Sequence, residues 1–432
     1  MDNKNKVELF DSSKFIDEET RISIRLKRKS DIVPSPWEIG NLIDNLSRYY
    51  YKMELLNVIS KAISNNISPK NIFILDESFK LNQGYNNLDT MSITDIKIKS
   101  LYTIGLPISL YPNKNVFMLY MIFKTFRRCN EEIYKYTKKF VTRDEIVLYT
   151  DKYFNKQILE KKVIEGIVDN AISFVNKKCL VKSVESKTNL VNELLSIKAN
   201  MVKEFEKYKL DEKEMPTIEN MLESYDDYND KKELIENKVY KEYYTKFFYL
   251  MTKVSRPVVC IYYDETKQIQ ILSLAHINQN KRNNTFFDVK NISHNSPLIT
   301  DLITGAVSGT CTIIKTKDEL EKSDEIHEKK LKQEELKMKI LEAQYKKANA
   351  EAEKAELEKI EKEIELYDKI NEMNDKYREN PAKSVGNKYL NHKVFEAYGN
   401  IRNGSQRLLS ANKLEVQQIE EIQEKQHIDT TV

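Results

Sequence analysis

The short run YYDETK at 262–267 has the residue types of a metal site: Asp264 and Glu265, with Lys267 two positions on. Separated carboxylates can hold Mg²⁺ and, with a lysine beside them, activate water for phosphodiester cleavage. That chemistry needs a further acidic partner from upstream, and none stands out; Asp-Glu-Thr-Lys is also a good hairpin turn. His294 lies between Ser293 and Ser296 in NISHNSPLITDLITGAVSG (291–309), but nucleophilic catalysis needs a base and a group to orient it. In the same stretch Gly305 and Gly309 are four apart, whereas a phosphate loop requires GxxxxGK[ST]. ESYDDYND (223–230) lacks the glycine and closing glutamate of a calcium loop. Cys129, Cys179, Cys260 and Cys311 are at least 50 residues apart, which excludes CxxC zinc spacing and a disulfide scaffold. The reading is therefore a non-enzymatic protein with no catalytic, cofactor-binding or metal-ligating residues assigned. A metal-dependent nuclease at Asp264 is the enzymatic alternative.

The elements around these residues are mostly helical. Only nine glycines and nine prolines occur in 432 residues, so turn chemistry is scarce and long helices are expected. RISIRLKRK (21–29) alternates apolar and basic residues as a half-buried strand does. Ser35, Pro36 and Glu38 then form an S-x-x-E helix start, and apolar residues from Ile39 to Ile63 recur at three- and four-residue steps. IFILDESFKL (72–81) predicts a second strand, residues 115–250 predict helices, and 211–230 with Pro216 predicts a connector. RPVVCIYYD and QIQILSLAHI predict a hairpin, and TFFDVKNISH (285–294) a third strand.

After them, Ser296 and Pro297 predict the start of a helix carrying Gly305 and Gly309 on one smooth face for close packing. A membrane-spanning role for 297–314 is disfavoured by Asp301 and its hydroxyl residues. Residues 318–378 predict a long charged helix, with Leu341, Tyr345, Ala348 and Ala352, then Ile360, Ile364 and Tyr367, as a coiled-coil-like stripe. The expected fold is α+β and predominantly helical. It combines a small mixed sheet from the N-terminal and 256–294 strands, a large helical insertion and a long C-terminal charged helix. The expected segments are 1–20, 21–100, 101–255, 256–316, 317–380 and 381–432.

Two basic surfaces could meet nucleic acid. One comprises Arg21, Arg25, Lys27, Arg28 and Lys29. The other comprises Lys124, Arg127, Arg128, Lys135, Lys138 and Lys139, interleaved with Tyr134 and Tyr136. Net charge is only +3, which excludes indiscriminate coating of nucleic acid. The start MDNKNKVELFDSSKF has no apolar signal region, so cytoplasmic residence is expected. The abundance of Lys, Asn, Ile and Tyr suggests an AT-rich coding genome, such as that of a low-GC bacterium or its phage.

The order of strand ISIRLKRKS, helix WEIGNLIDNLSRYYYKMELLNVI, then VKNISHNSPLITDLITGAVSG and a charged helix resembles a group of uncharacterised bacterial adaptor-like proteins. Some of these occur beside anti-phage effectors. The resemblance covers roughly 21–60 and 285–360 and implies an interaction module, with no catalytic residues carried over. The expected function is protein binding or oligomerisation through the Gly305/Gly309 helix and the 318–378 helix, in a defence setting. The alternatives are nucleic-acid binding, or a membrane-inserting effector or virion protein. A protein partner or second copy is expected, nucleic acid is the alternative partner, and no small-molecule substrate is indicated.

Overall fold

In the computed structural model the chain is described over residues 20–29, 34–80, 90–177, 183–224, 237–272, 288–293, 299–305 and 388–423, with single positions at 9, 88 and between 358 and 372. The chain divides into two units. One takes Met1–Ser12, Val58–Arg282 and Val385–Ala397; the other takes Ser13–Asn57, Asn283–Ser384 and Tyr398–Val432. The class is α+β with helix predominant, as expected. The strands, however, form two antiparallel sheets where one mixed sheet was expected.

In the second unit, β1 (Thr20–Arg28) is an inner strand. Its alternation buries Ile22, Ile24 and Leu26 to 1% exposure or less and leaves Arg25 exposed. That pattern suits a sheet with one covered face. The helix that follows, α1 (Pro36–Ser64), begins with the reciprocal cap the sequence announces. The Ser35 amide donates to Glu38 Oε2 at 2.6 Å, and the Glu38 amide donates to Ser35 Oγ at 3.3 Å. Leu42 and Leu46 of α1 join Ile22, Ile24 and Leu26 in one apolar cluster.

The remaining strands of this sheet correct one expectation. Residues Ile299–Gly305 form a strand, so the predicted Gly305/Gly309 helix is absent there. Four of the seven residues in ITDLITG are β-branched, and that stiffness favours the pleat over a helix. The segment pairs antiparallel with β1, placing Leu302 beside Ile24 and Gly305 beside Arg21, and on its other side with Asp288–Ser293. The 381–432 segment contains a 24-residue helix, Lys388–Ala411, and a ten-residue strand, Leu414–Gln423, on the free side of β1. Close helix packing at a glycine is found in this helix. A Cβ at Gly404 would lie 2.7 Å from the ring of Tyr49.

The first unit holds the other sheet. Its strands are β2 (Ile72–Leu75), β3 (Met91–Ser92), β4 (Pro107–Ser109), β5 (Val259–Tyr263) and β6 (Gln268–Ile271), in the order β3-β6-β5-β2-β4. β2 and β5 are buried at every residue, as strands covered on both faces are. So β1 and β2, both within the expected 21–100 segment, belong to different sheets. The stretch SITDIKIKS (92–100) holds only the end of β3 and then the start of α2 (Ile98–Ile104). Helices α3 (Lys114–Thr137), α4 (Asp144–Phe154), α5 (Glu160–Lys177) and α6 (Val184–Ser224) follow, and α3, α5 and α6 pack on one another. α6 runs through Pro216, where a connector was expected. A π-helical stretch at Lys241–Thr245 leads into α7 (Lys246–Lys253). By the same numbering the three remaining strands are β7 (Asp288–Ser293), β8 (Ile299–Gly305) and β9 (Leu414–Gln423), and the remaining long helix is α8 (Lys388–Ala411).

A carboxylate sits at the end of β2. Asp76 Oδ1 accepts the Leu106 amide at 2.7 Å, and the Asp76 amide donates to Leu106 O at 3.0 Å. Burial lifts the Asp76 carboxyl above the ordinary aspartate range, against the opposing pull of the Leu106 amide and Arg127. A folded-state pKa above the unfolded one gives stability that is complete below the unfolded value and is lost as pH rises through the folded one. Denaturant titrations between about pH 7 and about pH 4 are therefore expected to show the native chain gaining stability relative to Asp76→Asn as acid is added. A relative loss on acidification would show that the ionised carboxylate is the stabilising form.

Candidate nucleic-acid interface

The predicted site residues fall into three groups. Gly305 ends β8; Gly309, Leu341, Tyr345, Ala348, Ala352, Ile360 and Tyr367 lie outside the described residues, as do His294 and Ser296. Ile364 is helical and half-buried, and its neighbour Leu366, which periodicity did not single out, packs against the Ile22–Ile24–Leu26 cluster. The helical turn around Leu366 thus rests on the β1 sheet.

The Asp264–Lys267 run is the turn between β5 and β6. Asn115 Nδ2 donates to Asp264 Oδ1 at 2.9 Å, and Lys267 has the left-handed φ of 56°. Lys267 Nζ donates to Phe154 O at 2.7 Å and to Asn155 Oδ1 at 3.3 Å, closing the end of α4. Both side chains are engaged in joining elements. Among the described residues no group of three or more His, Cys, Asp or Glu side chains could hold a metal ion.

The first basic surface meets acids of its own fold. β9 places Glu420, Gln418 and Glu415 across from Ser23, Arg25 and Lys27. Arg25 Nη1 donates to Gln418 Oε1 at 3.2 Å, and Lys29 Nζ lies 3.0 Å from Glu415 Oε2. Arg28 borders the first turn of α1, where Ser35 first and Arg28 to a lesser degree hold the Glu38 carboxyl below its usual range. Of Arg21 only the backbone pairing with Ile422 and Gly305 is described.

The second surface divides along α3. Its N-terminal half faces inward. Lys124 Nζ donates to both oxygens of Glu204 at 2.7 Å and to Tyr120 Oη at 2.6 Å. Arg127 donates to Glu77 Oε1 at 2.8 Å and to Tyr102 O at 3.3 Å, with its guanidinium 5.7 Å from the Tyr102 ring centre. These two cations tie α3 to its neighbours.

The C-terminal half of α3 and the turn into α4 face water. Among the described residues Arg128 and Lys135 pair with Glu131 and Glu132 of their own helix, at 3.6 and 2.6 Å. Lys138 stops the helix in the left-handed conformation, φ 56°, with its amide donating to Tyr134 O at 3.0 Å. The chain then doubles back and sets Phe140 flat against Tyr134, with ring centres 4.7 Å apart and planes 10° apart. Lys138 Nζ stands 4.9 Å from the centre of the Tyr134 ring. Beyond the turn, the buried Asn130 accepts the Val141 amide on Oδ1 at 2.7 Å, and Val141 itself is buried. The backbone is therefore held on both sides of Phe140.

This arrangement is exposed and cationic. Phe140 is 58% exposed and Tyr134 41%, while Lys138 and Lys139 meet no carboxylate at ion-pair distance among the described residues. From 128 to 143 the sequence has five Arg or Lys and two Glu. No family model, curated protein or solved structure matches this chain. Its own geometry must carry the functional argument. Phe140 was missed in the sequence because it follows the helix. The visible signal was its place directly after Lys138-Lys139, six residues from Tyr134. Beneath the turn, Cys129 is buried, and burial pushes its thiol up to about 12, so it stays protonated and behaves as core.

Proposed function

We propose that this protein binds nucleic acid through the turn joining α3 to α4. The observation behind the proposal is the outward-facing Tyr134–Phe140 pair set beside Lys138 and Lys139, two ammonium groups free of carboxylates among the described residues. Lysines of this kind neutralise phosphates and release condensed counterions, which gives affinity that falls as salt rises. The earlier helical stripe at 318–378 lies almost wholly outside the described residues, and the Gly305 segment is strand β8, so neither supplies an equally defined surface. Among the described residues no helix is long and apolar enough to cross a membrane, so the membrane-inserting alternative draws no support from them.

Fluorescence anisotropy with labelled oligonucleotides at several salt concentrations tests the reading. The native chain is expected to bind more weakly as salt rises, and the double substitution Lys138→Glu/Lys139→Glu to lower affinity about tenfold or more and flatten the salt slope by about two. Binding that survives the double substitution, or no binding even at low salt, would refute the assignment.

A further inference from the structure

We infer that the Phe140–Tyr134 pair receives an unpaired base, so that the α3–α4 turn prefers single-stranded to duplex nucleic acid; this rests on the nucleic-acid reading above. Phe140 has one face covered by Tyr134 at 4.7 Å, yet the residue is 58% exposed, so water reaches its other face. Every nucleobase has a π-face able to stack on such a ring, and single-strand binders combine stacking rings with nearby cations. In a duplex those faces are already stacked on neighbouring base pairs, and a protein at the outside meets phosphates and groove edges. A duplex would therefore engage the lysines and leave the ring unused.

Two further features favour a base over an apolar protein partner. The ring is preorganised, since the Lys138 amide bonds to Tyr134 O before it and the Asn130 side chain holds the Val141 amide after it. The flanking charge is positive and immediate, with Lys138 and Lys139 directly preceding Phe140 in the chain. A base on the ring thus comes with its phosphate close to two ammonium groups, whereas an apolar partner would have to desolvate them.

The test compares an oligothymidylate with a duplex of equal length, both labelled, against the full chain and Phe140→Leu. The native protein is expected to bind the single strand more tightly. Phe140→Leu should weaken that binding about tenfold while shifting duplex affinity less than about twofold, and Phe140→Tyr should restore it. An unchanged melting temperature for Phe140→Leu would show that the fold is kept. Equal affinity for both forms, or Phe140→Leu without effect while Lys138→Glu/Lys139→Glu still abolishes binding, would leave the nucleic-acid reading standing and overturn this one. Competition by polyglutamate as strong as by oligothymidylate would also overturn it, since charge alone would then explain capture. Failure to bind either oligonucleotide would remove both.

Discussion

Alanine at Gly105 is expected to destabilise the first unit by about 3 kcal/mol, read as a lower denaturant midpoint at unchanged slope. The backbone at Gly105 is extended (φ 176°), open to any residue, so the obstacle is space. A Cβ there would lie 2.7 Å from Asp76 Oδ1 and 2.9 Å from the Glu77 amide nitrogen. A long side chain could swing away from such a contact, but a backbone nitrogen at the end of a buried strand cannot. Relief requires β2 and the 105–107 segment to part, which strains the two hydrogen bonds between Asp76 and Leu106. Gly399 in α8 makes the control. A Cβ there meets nothing within 4 Å, so Gly399→Ala is expected to stabilise by about 1 kcal/mol through helix propensity. Equal effects at the two positions would show that the close approach at Gly105 does not limit stability.

A loss of similar size, about 3–4 kcal/mol, is expected for Ile24→Ala in the second unit. Ile24 is fully buried in the inner strand β1, opposite Leu302 on one side and Ile419 on the other, both themselves buried. The three aliphatic chains form a row across three strands, with Leu42 and Leu46 of α1 in the same cluster. Truncation would leave a cavity bordered by strands tied on both edges, which cannot collapse to fill it. Arg25→Ala, on the exposed face of the same strand, is expected to change stability by about 0.5 kcal/mol or less. Chemical denaturation of both variants checks the contrast. A small effect at Ile24 would mean that this row is not the organising core of the sheet.

The sequence was most readable where a local signal had no rival. The alternation of β1, the Ser35–Glu38 cap, the apolar run of α3 and the hairpin of β5 and β6 each follow from neighbouring residues. Reading failed where the deciding contacts are distant. ITDLITG follows a Ser-Pro that looks like a helix start, yet it is a strand because β1 and β7 flank it. LEVQQIEEIQ is rich in Glu and Gln, good helix formers, yet β1 supplies the ladder that makes it extended. Pro216 looked like a break, but α6 carries it. The site was half legible. The basic and aromatic residues of α3 were visible, but their division into inward Lys124 and Arg127 and outward Lys135 and Lys138 depends on Glu204, Glu77 and Tyr102. The stacking partner Phe140 became evident only once the turn at Lys138 brought it back.

The pairing of β1 with β8 and β9 bears on how this protein matures on the ribosome. Residues 20–28 can find neither neighbour until translation has passed position 299, and the second neighbour emerges only after 414–423 has left the exit tunnel. For most of synthesis the apolar face of Ile22, Ile24 and Leu26 waits without its sheet, an opening for chaperones or for mispairing between nascent chains. Late closure of the longest-range pairing should make this sheet the slow step of folding and the one most easily lost when the carboxyl-terminal strand is trimmed.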